Sequence, residues 1–310
     1  MREITVGVND ADQRLDRFLM KAFPRATTSF LQKKIRQKKI KVNGQRAEAH
    51  TFLHENDTVQ IYLYEEVLLP LEKSKTFTAS SIRLSYAYEG PLFSVIDKPA
   101  GMLSHPAHPR DYGKTAVDGF VTDCIASGAY IPRLENSFVP ALVNRLDMQT
   151  AGLLLAAKTH AAMLLLQQGL QDGNIEKHYL AYVEGKIERE ETITLPLRTE
   201  NGKSIVDADG KVCVTHVKPL VSRDDFSLLA IRLETGRTHQ IRAHLAATGH
   251  PLIGDRPYGA RYRTELFPHH LLLSSRLLFH NGKALALSTP FNVYSKRTEE
   301  FKALMETIAP

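Results

Sequence analysis

The first 64 residues show a helical hydrophobic period followed by a strand period. In the first helix predicted here, apolar residues recur at steps of three and four, which is typical of a short helix with one buried face. Its apolar residues are Leu15, Phe18, Leu19 and Phe23. A second helix is predicted after Ser29, because serine commonly caps helices. Its inward-facing residues are expected to be Phe30, Leu31 and Ile35.

After residue 39 the period changes to two. Residues 40–42 alternate like a strand, Asn43-Gly44 is a strong turn signal, and residues 57–63 resemble a closing strand. These patterns predict a small α/β domain over residues 1–64. Residues 65–80 mix polar residues with proline, serine and threonine without sustained periodicity, so they are predicted to form a linker.

The remainder, residues 81–310, is predicted to form a second domain in which short apolar strands alternate with loops and a few helices. Residues 92–96, 153–156 and 228–233 have the length and composition of buried strands. Residues 240–248 are predicted to form a helix that ends at Gly249. This helix would carry Arg242 toward solvent or RNA.

The composition is that of an ordinary globular protein, with 43% hydrophobic and 24% charged residues in 310. No run of about 18 apolar residues is present, and the N-terminus lacks the pattern of a secretory signal. We therefore expect a cytoplasmic protein without membrane association. Cys124 and Cys213 are too few and too far apart for a disulfide framework or a CxxC metal site, which fits a reducing compartment.

The excess positive charge is confined to the N-terminal domain. Residues 14–46 contain eleven lysines or arginines and one acid, whereas the other 277 residues carry 29 basic and 33 acidic side chains. A patch of this kind attracts polyanions, although a basic helix face can also serve only solubility.

The order of these features resembles an S4 RNA-binding domain. The resemblance covers residues 13–64, in the strings RLDRFL, SFLQKKIRQKKIKVNGQ and HENDTVQIYL. It implies that RNA is bound through the second helix and the loop after it. The residues expected to contact RNA phosphates there are Lys33, Lys34, Arg36, Lys38 and Lys39.

The stretch VPALVNRLDMQTAGLLLAAK, residues 139–158, is the richest in chemical information. It holds a single carboxylate, Asp147, on a loop between two apolar segments, with Arg145 two residues before it. Taken alone, the pattern is typical of a structural arginine–aspartate pair.

The wider string NRLDMQTAGLLLAAK resembles the catalytic motif of RluA-type pseudouridine synthases. Three further strings agree with that family in the same order along the chain, so the resemblance spans roughly residues 85–290. They are KPAGMLSHPA, EKHYLAYVEG and LETGRTHQIRAHLAATGHPLIGDRPYG. The fold class implied is α+β: an S4-like domain followed by a mixed, mainly antiparallel catalytic sheet with flanking helices.

The implied activity is isomerisation of uridine to pseudouridine in structured RNA, without a cofactor or a metal. The resemblance makes Asp147 the catalytic aspartate and matches Lys177 and Tyr179 to the family's Lys-x-Tyr strand. Tyr179 would accept the C5 proton and stack on the base, Arg237 would pair with Asp147 and orient it, and Arg145 would hold the displaced strand. The target uridine must leave its stack to reach the carboxylate. The alternative roles are structural: Tyr179 could be an ordinary core residue, and Arg237 could be a structural phosphate clamp.

Three positions depart from the family pattern: Asn144 replaces a histidine, Ala151 a serine and Leu273 a histidine. An attached S4-like module favours large-subunit ribosomal RNA as the substrate, with transfer RNA possible, and we expect a monomer. The route that Asp147 initiates is left open.

Two other functions compete with this assignment. One is an RNA-binding assembly factor or chaperone that retains the fold without turnover. The other is a metal-dependent hydrolase that uses the histidine-rich segment 239–255. It is disfavoured because His239 and His244 are five residues apart, on different helix faces, and no HExxH motif is present. His105 and His108 likewise lack an accompanying carboxylate at ligand spacing.

Overall fold

The computed structural model describes residues 1–72, 79–132, 135–262 and 265–309. An N-terminal module comes first, with six short strands and three helices. Its strands are β1 (Arg2–Thr5), β2 (Gln13–Arg14), β3 (Ile40–Val42), β4 (Gln45–Arg46), β5 (Phe52–Leu53) and β6 (Thr58–Ile61). Its helices are α1 (Leu15–Ala22), α2 (Thr28–Arg36) and α3 (Glu65–Leu68). The main sheet has the order β1-β6-β3-β4, and β2 pairs with β5.

The predicted helix pair and hairpin are confirmed. The apolar faces of α1 and α2 close one hydrophobic core with β3 and β6. Asn43 and Gly44 both adopt positive φ, as a two-residue turn between β3 and β4 requires. The predicted cap Ser29 is wrong: α2 begins one residue after Thr27, whose side chain accepts a hydrogen bond from the Phe30 backbone N–H.

The start of the predicted linker belongs to the N-terminal module. Residues 65–71 are helical, first as α3 and then as a 3-10 turn, and Leu68 is buried in the core with Leu71 packed against it. These helical segments have only four and three residues, which is too short for a hydrophobic period to be recognised in the sequence. The part of the predicted linker at 73–78 lies outside the described residues.

The second half is built on one eleven-stranded sheet. Its strands are β7 (Tyr86–Glu89), β8 (Phe93–Lys98), β9 (Ala141–Leu142), β10 (Ala151–Ala157), β11 (Ile175–Glu184), β12 (Glu191–Glu200), β13 (Lys203–Val206), β14 (Lys211–Ser222), β15 (Phe226–Leu233), β16 (Leu272–Phe279) and β17 (Phe291–Tyr294). The order is β13-β12-β14-β15-β11-β16-β10-β8-β7, with β17 paired to β16 and β9 to β10. The β10–β16 pair is parallel and the other pairs are antiparallel, which confirms the mixed, mainly antiparallel sheet.

Helices cover both faces of this sheet, so its central strands are apolar on both sides. The helices are α4 (Ala116–Ala126), α5 (His160–Gln171), α6 (Gln240–Ala247), α7 (Thr298–Ala303) and α8 (Met305–Ile308). In β10, Leu154 packs in the core with α4 and α6, whereas Leu153 and Leu155 pack with α5. This two-sided burial explains why β10 has an unbroken apolar sequence instead of an alternating one. In the described residues, no helix is long and apolar enough to span a membrane.

The N-terminal module is joined to the second half through a buried carboxylate. Asp10 is 0% exposed and accepts hydrogen bonds from the backbone N–H groups of Ser137, at 2.7 Å, and Asn136, at 3.2 Å. The side chains of the same two residues also donate to it. Gln13 adds a 2.8 Å bond to the Ser137 hydroxyl. Because charge-assisted bonds of this kind are strong when buried, Asp10 fixes the module against the second half.

The parallel pairing of β10 with β16 joins the two parts of the sheet, β13 to β16 on one side and β10 to β7 on the other. It consists of two residue pairs, Ala151 with Leu273 and Gly152 with Ser274. Gly152 has φ of 103°, and a Cβ added to it would lie 2.1 Å from the Ser274 carbonyl oxygen. Only glycine allows this approach.

We expect Gly152→Ala to lower the free energy of unfolding by more than about 3 kcal/mol, because positive φ and a backbone clash act together. Gly173→Ala is the matched control: Gly173 also has positive φ, but no atom lies within 4 Å of its added Cβ. It should cost only about 1 kcal/mol. Urea unfolding measures both values, and equal losses would contradict the role assigned to the close approach.

Candidate active site

The Asp147 loop is held on both sides by the segment that follows β8. The Ser104 hydroxyl donates to the Leu146 carbonyl oxygen at 2.8 Å and accepts from the Leu146 N–H at 3.1 Å. On the other side, the fully buried Lys98 ammonium donates to the Met148 carbonyl oxygen at 3.0 Å. It also bonds two carbonyls of its own loop. Residues 146 and 148 are therefore fixed, and the carboxylate between them is presented in one orientation.

Asp147 is one end of a chain of buried charges. The Arg242 guanidinium donates to its Oδ2 at 3.1 Å and makes two further bonds, at 2.7 and 2.8 Å, to the carboxylate of Asp255. The Asp255 side chain is fully buried, that of Arg242 is 9% exposed, and that of Asp147 is 23% exposed. The bidentate pair with Asp255 fixes the guanidinium plane, and Arg242 in turn orients the carboxylate that can reach a ligand.

His239 and Tyr258 complete the surroundings of Asp147. His239 Nε2 lies 3.6 Å from Asp147 Oδ2, and its Nδ1 lies 3.1 Å from the Tyr258 hydroxyl. The backbone of His239 is left-handed, with φ of 52°, a conformation that is costly for a non-glycine residue and common at functional sites. The Arg242 guanidinium lies over the Tyr258 ring at 4.8 Å.

Tyr179 reaches the same place from the sheet. It lies on β11, opposite Ser274 of β16, where a bulge between His178 and Tyr179 shifts the register. Burial raises the pKa of its phenol, and the nearby Ser274 side chain offsets only part of the rise. Tyr179 is therefore a neutral phenol in the resting protein.

Two large cavities meet at Asp147. One, of about 590 Å³, has Tyr179, Lys177 and Arg237 on its wall. The other, of about 670 Å³, is lined by the segment after β8 and by histidines. Asp147, Arg145 and His239 line both. Each cavity has the volume of a typical small-molecule site and can hold a nucleoside.

The predicted pairing of Arg237 with Asp147 is wrong, because Arg242 occupies that position. Arg237 is exposed on the cavity wall, and its backbone N–H donates to Gln240 Oε1. Arg242 is buried, so the expectation that α6 carries it toward solvent or RNA is also wrong. The sequence contained a usable signal: Gln240–Ala247 is apolar around most of its circumference, and a buried arginine in such a helix needs a carboxylate partner.

The other predicted site residues occupy two separate surfaces. Arg145 is exposed at the rim of both cavities. The basic residues of the N-terminal module lie on α2 and the turn after it. Lys33, Arg36, Lys38 and Lys39 are exposed, and Lys34 is partly covered, with its ammonium 5.2 Å from the centre of the Phe30 ring.

The departures from the family pattern have structural roles here. Asn144 Oδ1 accepts a 2.8 Å hydrogen bond from the Leu155 backbone N–H, so it fastens the Asp147 loop to β10. Leu273 is fully buried in the core beneath α7 and α8. Ala151 packs at the edge of the same core.

The histidines weighed as metal ligands do not form a ligand set. Within the described ranges, no group of three or more histidine, cysteine, aspartate or glutamate side chains could hold a metal ion. His244 is fully buried and its Nε2 lies 3.2 Å from the Leu195 carbonyl oxygen, while His250 Nδ1 lies 2.9 Å from the Glu184 carbonyl oxygen.

His270 was not predicted, and it supports the far end of the Asp147 loop. Its Nε2 lies 2.9 Å from the Thr150 hydroxyl, and both residues are buried. Burial, reinforced by the nearby Arg242 charge, lowers the pKa of His270 from 6.5 to about 4. The imidazole is thus neutral in the folded protein, whereas the unfolded chain binds a proton below pH 6.5.

Because the pKa of His270 is lower in the folded than in the unfolded protein, the free energy of unfolding should fall as the pH drops from 6.5 toward 4. Between pH 7 and pH 5, His270 should contribute about 2 kcal/mol of the loss. His270→Gln, which keeps a polar partner for Thr150, should remove that contribution, whereas His50→Gln, at a side chain 71% exposed, should not. Urea unfolding at the two pH values tests this, and an unchanged pH dependence in the His270 variant would count against it.

The sequence was compared with known proteins. Residues 93–247 match the family described as RNA pseudouridylate synthase, and residues 13–59 match the S4 domain. A ribosomal large subunit pseudouridine synthase D from Nitrosomonas europaea is 34% identical over 83% of this chain and 72% of its own length. One from Pseudomonas aeruginosa is 34% identical over 81% and 75%. An uncharacterized RNA pseudouridine synthase of Bacillus subtilis is 32% identical over 84% and 83%.

Solved structures share the fold. Human RNA Pseudouridylate Synthase Domain Containing 4 superposes with a TM-score of 0.55 at 18% identity, covering 72% of this chain and 92% of that one. The family match spans the β8 segment, the Asp147 loop, Tyr179 and α6. The chain therefore belongs to the RNA pseudouridylate synthase family and carries an S4 domain at its N-terminal end.

Proposed function

We propose that this pseudouridine synthase modifies uridine in large-subunit ribosomal RNA, with Asp147 as its catalytic carboxylate. One observation carries the catalytic assignment. Asp147 is a carboxylate oriented by a buried arginine, yet its side chain is 23% exposed where two nucleoside-sized cavities meet. The names of the relatives from Nitrosomonas europaea and Pseudomonas aeruginosa support the choice of RNA, with transfer RNA as the alternative.

The isomerisation requires three operations at this place. The N1–C1′ bond must break, the detached uracil must turn while it stays bound, and C5 must join C1′ and lose its proton. Asp147 initiates the cleavage. Because the carboxylate lies inside a cavity wall, the target nucleotide must be flipped out of its stack to reach it.

Tyr179 is proposed to stack on the flipped base and to relay the C5 proton. Because its pKa is raised, the phenol cannot accept a proton at rest unless it passes its own proton on. We propose that the phenol gives its own proton to water in the cavity as it takes the one from C5, since the nearby Ser274 hydroxyl already donates to the Leu153 carbonyl oxygen.

Arg145 and Arg237 are proposed to hold the RNA around the flipped nucleotide. Both guanidinium groups are on exposed residues of the cavity rim, where they can contact phosphates. Arg242 takes the orienting role first expected of Arg237. The basic residues of α2 and its following turn supply further phosphate contacts, and Asp10 keeps that surface at a fixed distance from Asp147.

We further propose that the enzyme acts as a monomer in the cytoplasm. Asp147, Tyr179 and Arg242 all come from one chain, so a second copy is not required to supply them. Cys124 and Cys213 are both free and buried, as is usual in a reducing compartment.

Asp147→Asn should reduce turnover by about three orders of magnitude or more, because the amide can neither attack nor remove a proton. RNA affinity should change little. Tritium release from ribosomal RNA labelled at uridine C5 measures turnover, and filter binding measures affinity. Asp209→Asn, at an exposed turn, is the matched control and should be fully active. Absence of tritium release by the wild-type protein from any cellular RNA, with binding intact, would favour a non-catalytic assembly factor.

Neutralising the exposed residues Lys33, Arg36 and Lys39 together, by glutamine, should weaken RNA binding and flatten its salt dependence. Each lost phosphate contact should reduce the slope of log K against log[salt] by about 0.7 to 0.9. Three exposed lysines of the catalytic half, Lys186, Lys218 and Lys283, replaced in the same way, form the control. Equal slopes for the two triple variants would contradict the proposed RNA surface.

A further inference from the structure

Lys177 is a largely buried lysine whose ammonium faces a cavity and has no hydrogen-bond acceptor among the described residues. The residue is 8% exposed, and burial is the one cause that lowers the pKa of its side chain. No described carboxylate or carbonyl oxygen is bonded to it, in contrast to Lys98, whose ammonium bonds three carbonyl oxygens. Since a charge without a partner is destabilising in a largely buried position, this arrangement favours a partner from outside the described residues.

The ammonium is directed toward the cavity of Tyr179 and Asp147. Lys177 and Tyr179 are two residues apart on β11, so their side chains share one face of the sheet, and both line the 590 Å³ cavity. Space for the ammonium exists because residue 236 is glycine. A Cβ added to Gly236 would lie 2.9 Å from Lys177 Nζ.

We propose that Lys177 is a catalytic residue that binds a carbonyl oxygen of the flipped uracil and stabilises the negative charge that the base acquires. This inference rests on the proposed function. When the N1–C1′ bond breaks, its electron pair goes to the base, and the charge spreads over N1, O2 and O4. If the carboxylate adds to the ring instead, the electron pair of the C5–C6 bond also moves onto C5 and O4. Each route therefore develops an anion on the pyrimidine. The charge disappears when C5 bonds to C1′, after which C5 loses its proton and N1 takes one up from water, so the base ends neutral.

A fixed cation on a largely buried side chain interacts more strongly with this developing anion than with the neutral ground-state base. Its effect should fall on the chemical step and not on RNA affinity. The lysine keeps its own proton throughout, so in this role it acts as a fixed charge and not as an acid or a base.

The first test compares Lys177→Met, which keeps the length and apolar stem but removes the charge, with the wild-type enzyme. Under single-turnover conditions, with enzyme in excess over RNA and its concentration varied, the maximal rate should fall about 100-fold while the half-saturating concentration (KM) changes less than about twofold. The melting temperature should stay the same or rise, because an unpaired buried charge has been removed. Lys283→Met, at an exposed position, is the control and should match the wild type.

Two further measurements distinguish stabilisation of the uracil anion from a phosphate contact or a purely structural role of Lys177. With RNA carrying 5-fluorouridine at the target, whose base bears negative charge more easily, Lys177→Met should slow consumption of the nucleotide only about tenfold. Gly236→Ala, which displaces the ammonium without removing it, should slow the uridine reaction several-fold with unchanged stability.

Three results would overturn the proposal. They are an increase in KM at constant maximal rate, which would identify a phosphate contact; equal losses with uridine and 5-fluorouridine; or a lower melting temperature in proportion to lost activity. Failure of the proposed function is distinguished from these results because the wild-type enzyme itself would then release no tritium.

Discussion

The close approach of Gly152 to Ser274 is the constraint on which the rest of the catalytic half depends. Two residue pairs at this point join β10 and its neighbours to β16 and β11. The Asp147 loop ends where β10 begins, and Tyr179 is paired with Ser274 across β11 and β16. A single backbone contact thus sets the distance between a loop carboxylate and a strand phenol. Any side chain at residue 152 would separate them.

Around this contact, the site is stabilised by polar groups that are satisfied inside the protein. Lys98 and Ser104 bond the backbone on either side of Asp147, and the pair of Arg242 with Asp255 orients its carboxylate. Removing one member of such a network leaves another buried and unpaired, which is costly. The network therefore keeps Asp147 in place before RNA binds. Lys177 is the exception, since its partner is proposed to be the substrate.

Much of the fold followed from local patterns. The helices α1 and α2, the Asn43-Gly44 turn, and the strands β8, β10 and β15 were predicted because their periodicity and turn residues act over a few positions. The linker prediction failed at Leu68, where one buried side chain in a single helical turn gives no measurable period. The prediction that Arg237 pairs with Asp147 was wrong for another reason. Arg237 precedes α6 and Arg242 lies within it, and only the packing of α6 determines which of the two side chains is directed toward Asp147.

The sequence by itself determined the family, the order of the two modules, the segregation of positive charge and the identity of the candidate carboxylate. These depend on residue types at fixed spacing along the chain. The tertiary structure decided which residues surround Asp147, because Arg242, Asp255, His270 and Tyr179 come from distant segments. Their contacts depend on how β10, β11 and β16 pair and on how α6 packs against the sheet. Among the residues that the structure describes, it also left the Lys177 ammonium without a hydrogen-bond acceptor, which depends on where the neighbouring segments lie and not on the local sequence.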